Sequence, residues 1–311
     1  MKKKRKNVLV VLGGNSKERE ISLQSGKACL KAIKKLGYAA KTFDPAKKSL
    51  NKIDSSKVDT IFNALHGKGG EDGTAQNYFE YLKIPYTHSG ITSSINAMNK
   101  IISKEFFEKN NILSPKYFVL SSKNITRNKI KNSIKRSKLS YPIVIKPSDE
   151  GSSIGVEICR NFKALSKSAN SLKRKYKNLI FEKYIGGQEV QVAVMNGKGI
   201  GAIELRPKRG FYDYKAKYYK SANTAHIMPA DLSKKDYKRV LKISEKVHKI
   251  LGCKGITRSD FKFFNKKFYL LELNTQPGMT DLSLVPEIAK YKGISFTKLV
   301  KKMILDASVN R

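Results

Sequence analysis

One segment of this chain, Gly255 to Asp281, constrains its fold more than any other. Two β-prone apolar runs, Ile256–Phe264 and Phe268–Leu273, flank a short polar break at Asn265-Lys266-Lys267. Apolar runs of this length on either side of a polar break predict a β-hairpin, here with a three-residue loop.

The register of this hairpin decides which side chains meet. Pairing of Phe264 with Phe268 creates two further cross-strand pairs, Asp260 with Glu272 and Arg258 with Asn274. Opposed side chains lie roughly 4.5–5.5 Å apart at Cβ, so two carboxylates there repel unless a cation lies between them. Oxygen-only ligands suit Mg²⁺, which proteins hold with carboxylates and substrate phosphates. We therefore expect Asp260, Glu272 and Asn274 to form a metal site that holds a nucleotide.

The alternative is a solvated polar face on a hairpin at the edge of a sheet. That alternative still requires a core on the other face, where the alternation of side chains places Leu271 and Leu273.

Length and cysteine content bound the class of protein. The chain has 311 residues, enough for two or three packed units, and no apolar run approaches the length of a membrane span. The basic start followed by Val8–Leu12 resembles a signal peptide, but five apolar residues are too few. Cys29, Cys159 and Cys253 are far apart and lack metal-ligand spacing. We expect a cytoplasmic protein without membrane insertion.

The net charge of +38 favours anionic ligands, although it does not define the function. The excess comes from 52 lysines against 11 arginines, spread from end to end. Readers of nucleic-acid bases rely on bidentate arginine or on aromatics along a basic groove, and neither pattern is present. We expect no nucleic-acid partner, and ATP is an anion that the charge would attract.

The first part of the chain has an α/β pattern. The apolar run Asn7–Leu12 ends in Gly13-Gly14, and a helix is predicted from near Asn15 towards Leu36. Asn15 and Glu18 have capping-box spacing, so a helix cap is one role for Glu18. The next parallel strands are predicted at Ala39–Phe43 and Val58–Leu65.

A glycine-rich loop, His66–Gly73, follows the last of these strands, and a helix is predicted after it at Thr74–Leu82. Ligands of open α/β sheets bind beyond the carboxyl ends of the strands. His66 is therefore better placed for a substrate than for a core, although a lone histidine is usually structural.

Three domains are predicted, with boundaries at 1–93, 94–185 and 186–311. The second begins with a helix at Ser94–Asn110 that carries Lys100, and it continues with alternating strands and helices. Lys146 leaves the apolar strand Ile143–Lys146 just before the loop Glu150–Gly155. The small residues of that loop allow backbone N–H groups to approach phosphate oxygens.

The end of the second domain and the third domain supply further nucleotide contacts. Ile185 follows a predicted strand where the backbone changes direction, which suits an adenine slot, and Glu189 could hydrogen-bond a ribose. The long polar and aromatic segment Arg206–Ala225 is typical of a functional lid.

Five motifs in this chain resemble those of D-alanine–D-alanine ligases of the ATP-grasp superfamily. They occur in the family's order and span about residues 7–307: LGGNSKEREISL, ALHGKGGEDG, IVIKPSDEGSSIGV, FYDYKAKY and LLELNTQPGMTDLSLVP. The resemblance implies an N-terminal Rossmann-like (preATP-grasp) domain for substrate, followed by a two-lobed ATP-grasp fold. Of these lobes, the central one carries the glycine-rich loop, and the C-terminal one carries the lid and the metal-binding hairpin.

The resemblance also implies an activity and a set of site residues. The activity is the ATP-dependent joining of two D-alanines, giving ADP, phosphate and D-alanyl-D-alanine for peptidoglycan. ATP would be held by Lys100, Lys146, Ser153, Glu182, Lys183, Ile185, Glu189 and Lys217, and two Mg²⁺ or Mn²⁺ by Asp260, Glu272 and Asn274. Glu18 would pair with the ammonium of the first D-alanine, with His66 nearby, and Ser283 and Leu284 would receive the second. Ser152 and Tyr218 would link the glycine-rich loop to the lid. Arg258 and the N–H of Gly278 would form an oxyanion hole.

Some questions stay open at this point. The sequence departs from the family's usual residues at Asn99, Gln276 and His88, and none of these has a role assigned above. The alternatives are a ligase that makes D-alanyl-D-lactate or D-alanyl-D-serine, and a catalytically inactive basic binding protein on the same scaffold. A homodimer is an expectation from the resemblance, and a need for a monovalent cation is undecided.

Overall fold

The computed structural model describes residues 6–207, 224–280 and 282–311. Its first unit is a parallel sheet of three strands in the order β2–β1–β3. The apolar run at the start supplies the central strand, where Val8, Val10 and Val11 are buried. The elements are β1 (Asn7–Val11), α1 (Arg19–Lys35), β2 (Ala39–Phe43), β3 (Thr60–Asn63) and α2 (Thr74–Tyr81). The predicted parallel strands are confirmed.

The predicted capping box at the start of α1 is wrong. The helix begins at Arg19, and Glu18 is its N-cap residue without a side-chain capping bond. The Ser16 hydroxyl makes the hydrogen bonds at this helix start instead. It accepts from the Glu18 N–H at 3.1 Å and donates to the His66 carbonyl at 2.6 Å. The Glu18 side chain is buried and not used as a cap.

The single helix predicted over Ser94–Asn110 is two helices, α3 (Ile91–Met98) and α4 (Lys100–Lys109). Asn99 separates them with an extended backbone, and its side chain accepts from the N–H groups of Ile101 and Ile102. A side-chain cap of this kind satisfies donors that have no partner within the helix. The break places Lys100 in the first turn of α4.

An antiparallel sheet of four strands follows, in the order β4–β7–β5–β6. Two helices pack against it and share a core with it. The elements are β4 (Tyr117–Ser121), α5 (Arg127–Ser137), β5 (Ile143–Pro147), β6 (Glu157–Cys159), α6 (Phe162–Leu172) and β7 (Asn178–Lys183).

The last sheet is antiparallel with five strands in the order β10–β9–β8–β11–β12. Its strands are β8 (Gln188–Met195), β9 (Lys198–Arg206), β10 (Ala225–Ile227), β11 (Ile256–Phe264) and β12 (Lys267–Asn274). The helices of this part are α7 (Lys234–Ile250), α8 (Leu284–Tyr291) and α9 (Phe296–Asp306).

Near its open end, the β11–β12 hairpin has the predicted cross-strand pairs, although its turn differs from the predicted one. Arg258 lies opposite Asn274 and Asp260 opposite Glu272, as expected. However, the predicted pairing of Phe264 with Phe268 is wrong, because Phe264 pairs with Lys267 across a two-residue turn. Both turn residues, Asn265 and Lys266, have positive φ, as a type I′ turn requires.

A β-bulge compensates for the one-residue difference between the predicted and observed pairing at the turn. The register shifts between Asp260 and Phe261, since Asp260 pairs with Glu272 while Phe261 pairs with Leu270. Leu271 is therefore the extra residue of β12. The prediction that it faces the core with Leu273 is wrong: Leu273 is buried there, and Leu271 lines a cavity between the two antiparallel sheets.

Apolar cores join the units. One core combines β1, α1 and β3 of the parallel unit with α8 and α9 from the end of the chain, so that Val10 and Phe62 belong to the same cluster as Ile288 and Leu299. The first and last units thus share a core, and the domain boundaries given above stay a prediction. In the described part of the chain, no helix has the length and apolarity needed to span a membrane.

Close packing of α1 on the end of β1 gives a test of the fold. A Cβ on Gly26 would lie 2.5 Å from Leu12 Cβ, so Gly26→Ala should lower the free energy of unfolding by about 1–3 kcal/mol through overpacking. Gly186→Ala is the control, because a Cβ there meets no atom within 4 Å. Denaturant unfolding measures both, and equal stability of the two variants would contradict this packing.

Candidate active site

Two adjoining cavities lie between the parallel unit and the two antiparallel sheets. Each is about 800–840 Å³ with its open mouth included. Cavity A is lined by Glu18, His66, Ser152, Arg258, Asn274, Gly278, Ser283 and Leu284 among others. Cavity B is lined by Lys146, Ser153, Glu182, Lys183, Ile185, Glu189 and Asp260 among others. Lys100 and Glu272 line both cavities, so the two spaces meet at this pair.

The structure therefore brings together every predicted site residue that it describes. Lys217, Tyr218 and most of the predicted lid lie outside the described residues.

Cavity B has an apolar wall and a charged floor. Val144, Ile154, Ile185 and Leu271 from both antiparallel sheets supply apolar surface, as a flat aromatic ligand requires. On the floor, the Lys146 ammonium lies 2.7 Å from Glu182 Oε1. Further along the cavity, the ammonium of Lys262 pairs with Glu189 at 2.9 Å.

Lys104 is a residue that the sequence reasoning missed. Its side chain is wholly buried behind cavity B, with its ammonium 3.0 Å from Glu182 Oε2 and 4.8 Å from the centre of the Tyr117 ring. Burial raises the pKa of Glu182, but Lys104 and Lys146 outweigh that effect and hold this pKa below its usual value. Burial lowers the pKa of Lys104, which Glu182 opposes. Lys104 and Lys146 thus flank the Glu182 carboxylate, one on each oxygen. The sequence feature that could have identified Lys104 is its position one helical turn after Lys100.

The facing strands β11 and β12 present charged groups where the cavities meet. The Arg258 guanidinium donates to both oxygens of Asp260, at 2.7 and 2.9 Å. The Lys100 ammonium lies 3.1 Å from Glu272 Oε2 and donates to the Glu150 carbonyl at 2.7 Å. Two carboxylates and the Asn274 amide thus face one another across the hairpin, as a hard cation requires of its ligands.

Three buried groups form the far end of cavity A. One ligand atom each of Glu18, His66 and Glu71 lies within 4.8 Å of the others. His66 Nδ1 contacts Glu71 Oε1 at 2.9 Å, and Nε2 contacts the Ser25 hydroxyl at 3.2 Å. Two carboxylates in a buried pocket favour a cationic ligand. The sequence reasoning missed Glu71, although it lies in the same glycine-rich loop as His66.

The glycine-rich loop of the central unit reaches this pocket. A Cβ on Gly151 would lie 3.1 Å from Glu18 Oε1, so the loop backbone passes directly over the Glu18 carboxylate. Ser152 and Ser153 both have positive φ, and they line cavities A and B respectively.

The segment after β12 forms the opposite wall of cavity A. A Cβ on Gly278 would lie 2.8 Å from the Ser283 hydroxyl, so a side chain there would displace that hydroxyl. The Ser283 hydroxyl accepts from the Thr280 N–H at 2.9 Å, and Ser283 directly precedes α8, whose first residue is Leu284.

Two residues, Gln276 and Met279, connect this segment to the parallel unit through three hydrogen bonds. The Gln276 side chain accepts from Asn63 Nδ2 at 2.8 Å and donates to the Leu65 carbonyl, and the Met279 N–H donates to the Ser25 hydroxyl at 3.2 Å. Gly278 lies between these two anchors.

Family models match most of the chain. The model described as D-ala D-ala ligase C-terminus matches residues 106–305, and the one described as D-ala D-ala ligase N-terminus matches residues 38–89. A D-alanine--D-alanine ligase of Pelagibacter ubique is 54% identical, with 98% of this chain and 99% of the relative covered.

The chain belongs to the D-alanine–D-alanine ligase family.

Solved structures agree with this assignment. A D-alanine--D-alanine ligase from Bacillus anthracis complexed with ATP is 30% identical, with a TM-score of 0.83 and coverage of 98% of this chain and 97% of that one. The VanG D-Ala:D-Ser ligase from Enterococcus faecalis is 27% identical, with a TM-score of 0.84 and coverage of 97% and 99%. The fold is an ATP-grasp fold preceded by a Rossmann-like domain, and the chain is an ATP-dependent ligase.

The buried cluster behind cavity B generates a prediction. Lys104→Met removes one of two cations around a buried carboxylate and leaves Lys146 as its remaining counter-ion. The free energy of unfolding should therefore fall, but by less than the roughly 3–5 kcal/mol expected when a buried charge loses its last partner. Lys109→Met, on an exposed position of the same helix, is the control. Denaturant unfolding that showed Lys104→Met to be as stable as this control would contradict the role of the ion pair.

Proposed function

We propose that this site joins two D-alanine molecules in two steps, with ATP first activating one carboxylate as an acyl phosphate. The observation that supports this is the junction of the two cavities at Lys100 and Glu272. A nucleotide in cavity B would end its phosphate chain there, and an amino acid in cavity A would present its carboxylate to the same point.

ATP would occupy cavity B. Its adenine would lie against Ile185 and the other apolar residues, with Glu182 and Lys183 at the strand edge. The ribose would bond Glu189, and the phosphates would face Lys146, Lys100 and the N–H groups around Ser153. We also assign Lys217 to the phosphates, on the resemblance alone. The lysine ammonium groups and the small loop residues are suited to a polyphosphate.

The metals would be two Mg²⁺ or Mn²⁺ held by Asp260, Glu272 and Asn274. The donor set fits, because all three offer hard oxygen atoms and two of them are carboxylates on opposed strands. When bound, such ions neutralise the charge on the transferring phosphoryl group. The need for a monovalent cation stays open.

The first D-alanine would bind by its ammonium at Glu18, with His66 nearby. Ser152 and Tyr218 would connect the glycine-rich loop to a lid above it, and Tyr218 is assigned by resemblance alone. A lid matters because water would hydrolyse an acyl phosphate.

The second D-alanine would enter near Ser283 and Leu284. Its amine attacks the acyl phosphate, and a tetrahedral oxyanion develops. The Arg258 guanidinium and the Gly278 N–H would stabilise that oxyanion, and the loss of one such donor typically costs about 10²–10³-fold in rate. Phosphate leaves, and the dipeptide serves peptidoglycan synthesis.

A second candidate function is the joining of D-alanine to D-serine. The similarity to a D-Ala:D-Ser ligase over nearly the whole chain supports it. D-alanyl-D-lactate is the corresponding depsipeptide product. The choice depends on the subsite around Ser283.

We further propose that the protein acts in the cytoplasm, where its three cysteines, all free and buried, suit a reducing compartment. A homodimer stays a prediction.

The test of the function is a product assay. Phosphate release is measured with ATP and Mg²⁺ for D-alanine alone, for L-alanine, and for D-alanine mixed with D-serine or D-lactate. The products are identified by mass spectrometry. D-alanyl-D-alanine from D-alanine alone is the expected result. Turnover only with D-serine or D-lactate would replace the proposal with the corresponding ligase, and no turnover by folded protein would favour the inactive binding protein.

The metal assignment gives a separate prediction. Glu272→Gln should lower the rate of ADP formation by at least about 10²-fold, because it removes charge where the phosphoryl group transfers. Its fold should be intact by circular dichroism. Glu287→Gln is the control, since this carboxylate pairs with His226 outside both cavities. Substantial turnover by Glu272→Gln would refute the metal role.

A further inference from the structure

Gln191 lies in the middle of β8 with 1% of its surface exposed. Its backbone pairs with Asp260 on one side and Ile203 on the other. Within residues 6–207, 224–280 and 282–311, neither Nε2 nor Oε1 of this side chain has a hydrogen-bond partner, and both atoms are buried. The side chain lines cavity A.

The charged groups around Gln191 are paired. On the same sheet face, Asp260 accepts from Arg258, and Glu189 lies 2.9 Å from the Lys262 ammonium. Glu272 lies 3.1 Å from the Lys100 ammonium at the cavity junction. The buried Gln191 amide, two residues after Glu189 and opposite Asp260, offers two N–H donors and one carbonyl acceptor in a polar environment.

A buried amide without hydrogen bonds is unfavourable in a folded protein. An apolar side chain of the same length would avoid that cost, since replacing an unsatisfied polar group is neutral or stabilising. A side chain that reduces stability in this way at a ligand cavity is typical of a functional position. The partner of the amide is therefore a group that enters cavity A.

We propose that Gln191 binds the acyl phosphate, the anionic group formed where the first D-alanine carboxylate meets the γ-phosphate. Nε2 donates to an oxygen of the transferring phosphoryl group. Oε1 would accept from a water molecule in the space beside Asp260. Gln191 lies opposite Asp260 on β11, and Asp260 in turn lies opposite Glu272 on β12. This position favours the phosphoryl group over the amino acid's ammonium, which Glu18 serves at the other end of the cavity. This inference rests on the proposed function and adds a contact to it.

Gln191→Met tests the inference with two readouts. It keeps the length of the side chain and removes the amide, so the melting temperature should stay the same or rise. The rate constant kcat for dipeptide formation should fall by about 10- to 100-fold, as for loss of a hydrogen bond to a charged group. Binding of ADP should not change, because ADP lacks the phosphoryl group that Gln191 would contact and the rest of the nucleotide would occupy cavity B. A contact made only in the transition state lowers kcat and kcat/KM together.

Two further variants make the test specific. Gln191→Glu has nearly the same shape but places a negative charge beside Asp260 and the phosphoryl group, so kcat should fall more than in Gln191→Met. Gln76→Met is the stability control, because the equally buried Gln76 amide donates to the Gly70 carbonyl at 2.8 Å. Its melting temperature should fall.

The outcomes separate this inference from the proposed function. Dipeptide formation by the wild type with unchanged kcat in Gln191→Met would overturn the inference alone. The melting temperature of Gln191→Met could instead fall as in Gln76→Met, with kcat reduced only by the loss of folded protein. That result would show that Gln191 has a structural role, and it would also overturn the inference. Absence of dipeptide formation in the folded wild type would overturn the proposed function itself.

Discussion

Two carboxylates, Asp260 and Glu272, face each other across adjacent strands, and this opposition constrains much of the surrounding structure. Like charges in this position repel, so each needs a counter-ion close by. The structure supplies Arg258 to one and Lys100 to the other. Lys100 comes from the first turn of α4, so its position depends on the helix break at Asn99. The pair of carboxylates also lies where cavities A and B meet, which is where phosphoryl transfer requires cations.

The amino-acid subsite depends on contacts between distant parts of the chain. The parallel unit contributes Glu18 and His66, while the segment after β12 contributes Gly278 and Ser283. Met279 and Gln276 anchor that segment to the parallel unit on both sides of Gly278, through the Ser25 hydroxyl and through Asn63 and Leu65. The two halves of cavity A are thus held in a fixed relation by buried hydrogen bonds, which are worth more where the alternative is an unsatisfied polar group.

The sequence predicts elements and chemistry better than it predicts long-range partners. Period and turn signals locate nearly every strand and helix, and the hairpin pairs follow from side-chain alternation. Even there, the loop length and the bulge at Leu271 were both missed, and the two errors cancelled at Asp260 and Glu272. Lys104 and Gln191 could not be predicted, because nothing local distinguishes a buried lysine or glutamine from an exposed one. Their roles depend on Glu182 and on cavity A, which only the packing of distant strands brings to them.

The central claim is that the β11–β12 hairpin holds the metals at the junction of the two cavities. It is tested most directly by anomalous scattering from Mn²⁺ in crystals grown with a non-hydrolysable ATP analogue. The account predicts Mn²⁺ within bonding distance of Asp260 and Glu272, with the analogue in cavity B. Mn²⁺ found instead at the buried cluster of Glu18, His66 and Glu71, with none at the hairpin, would contradict it.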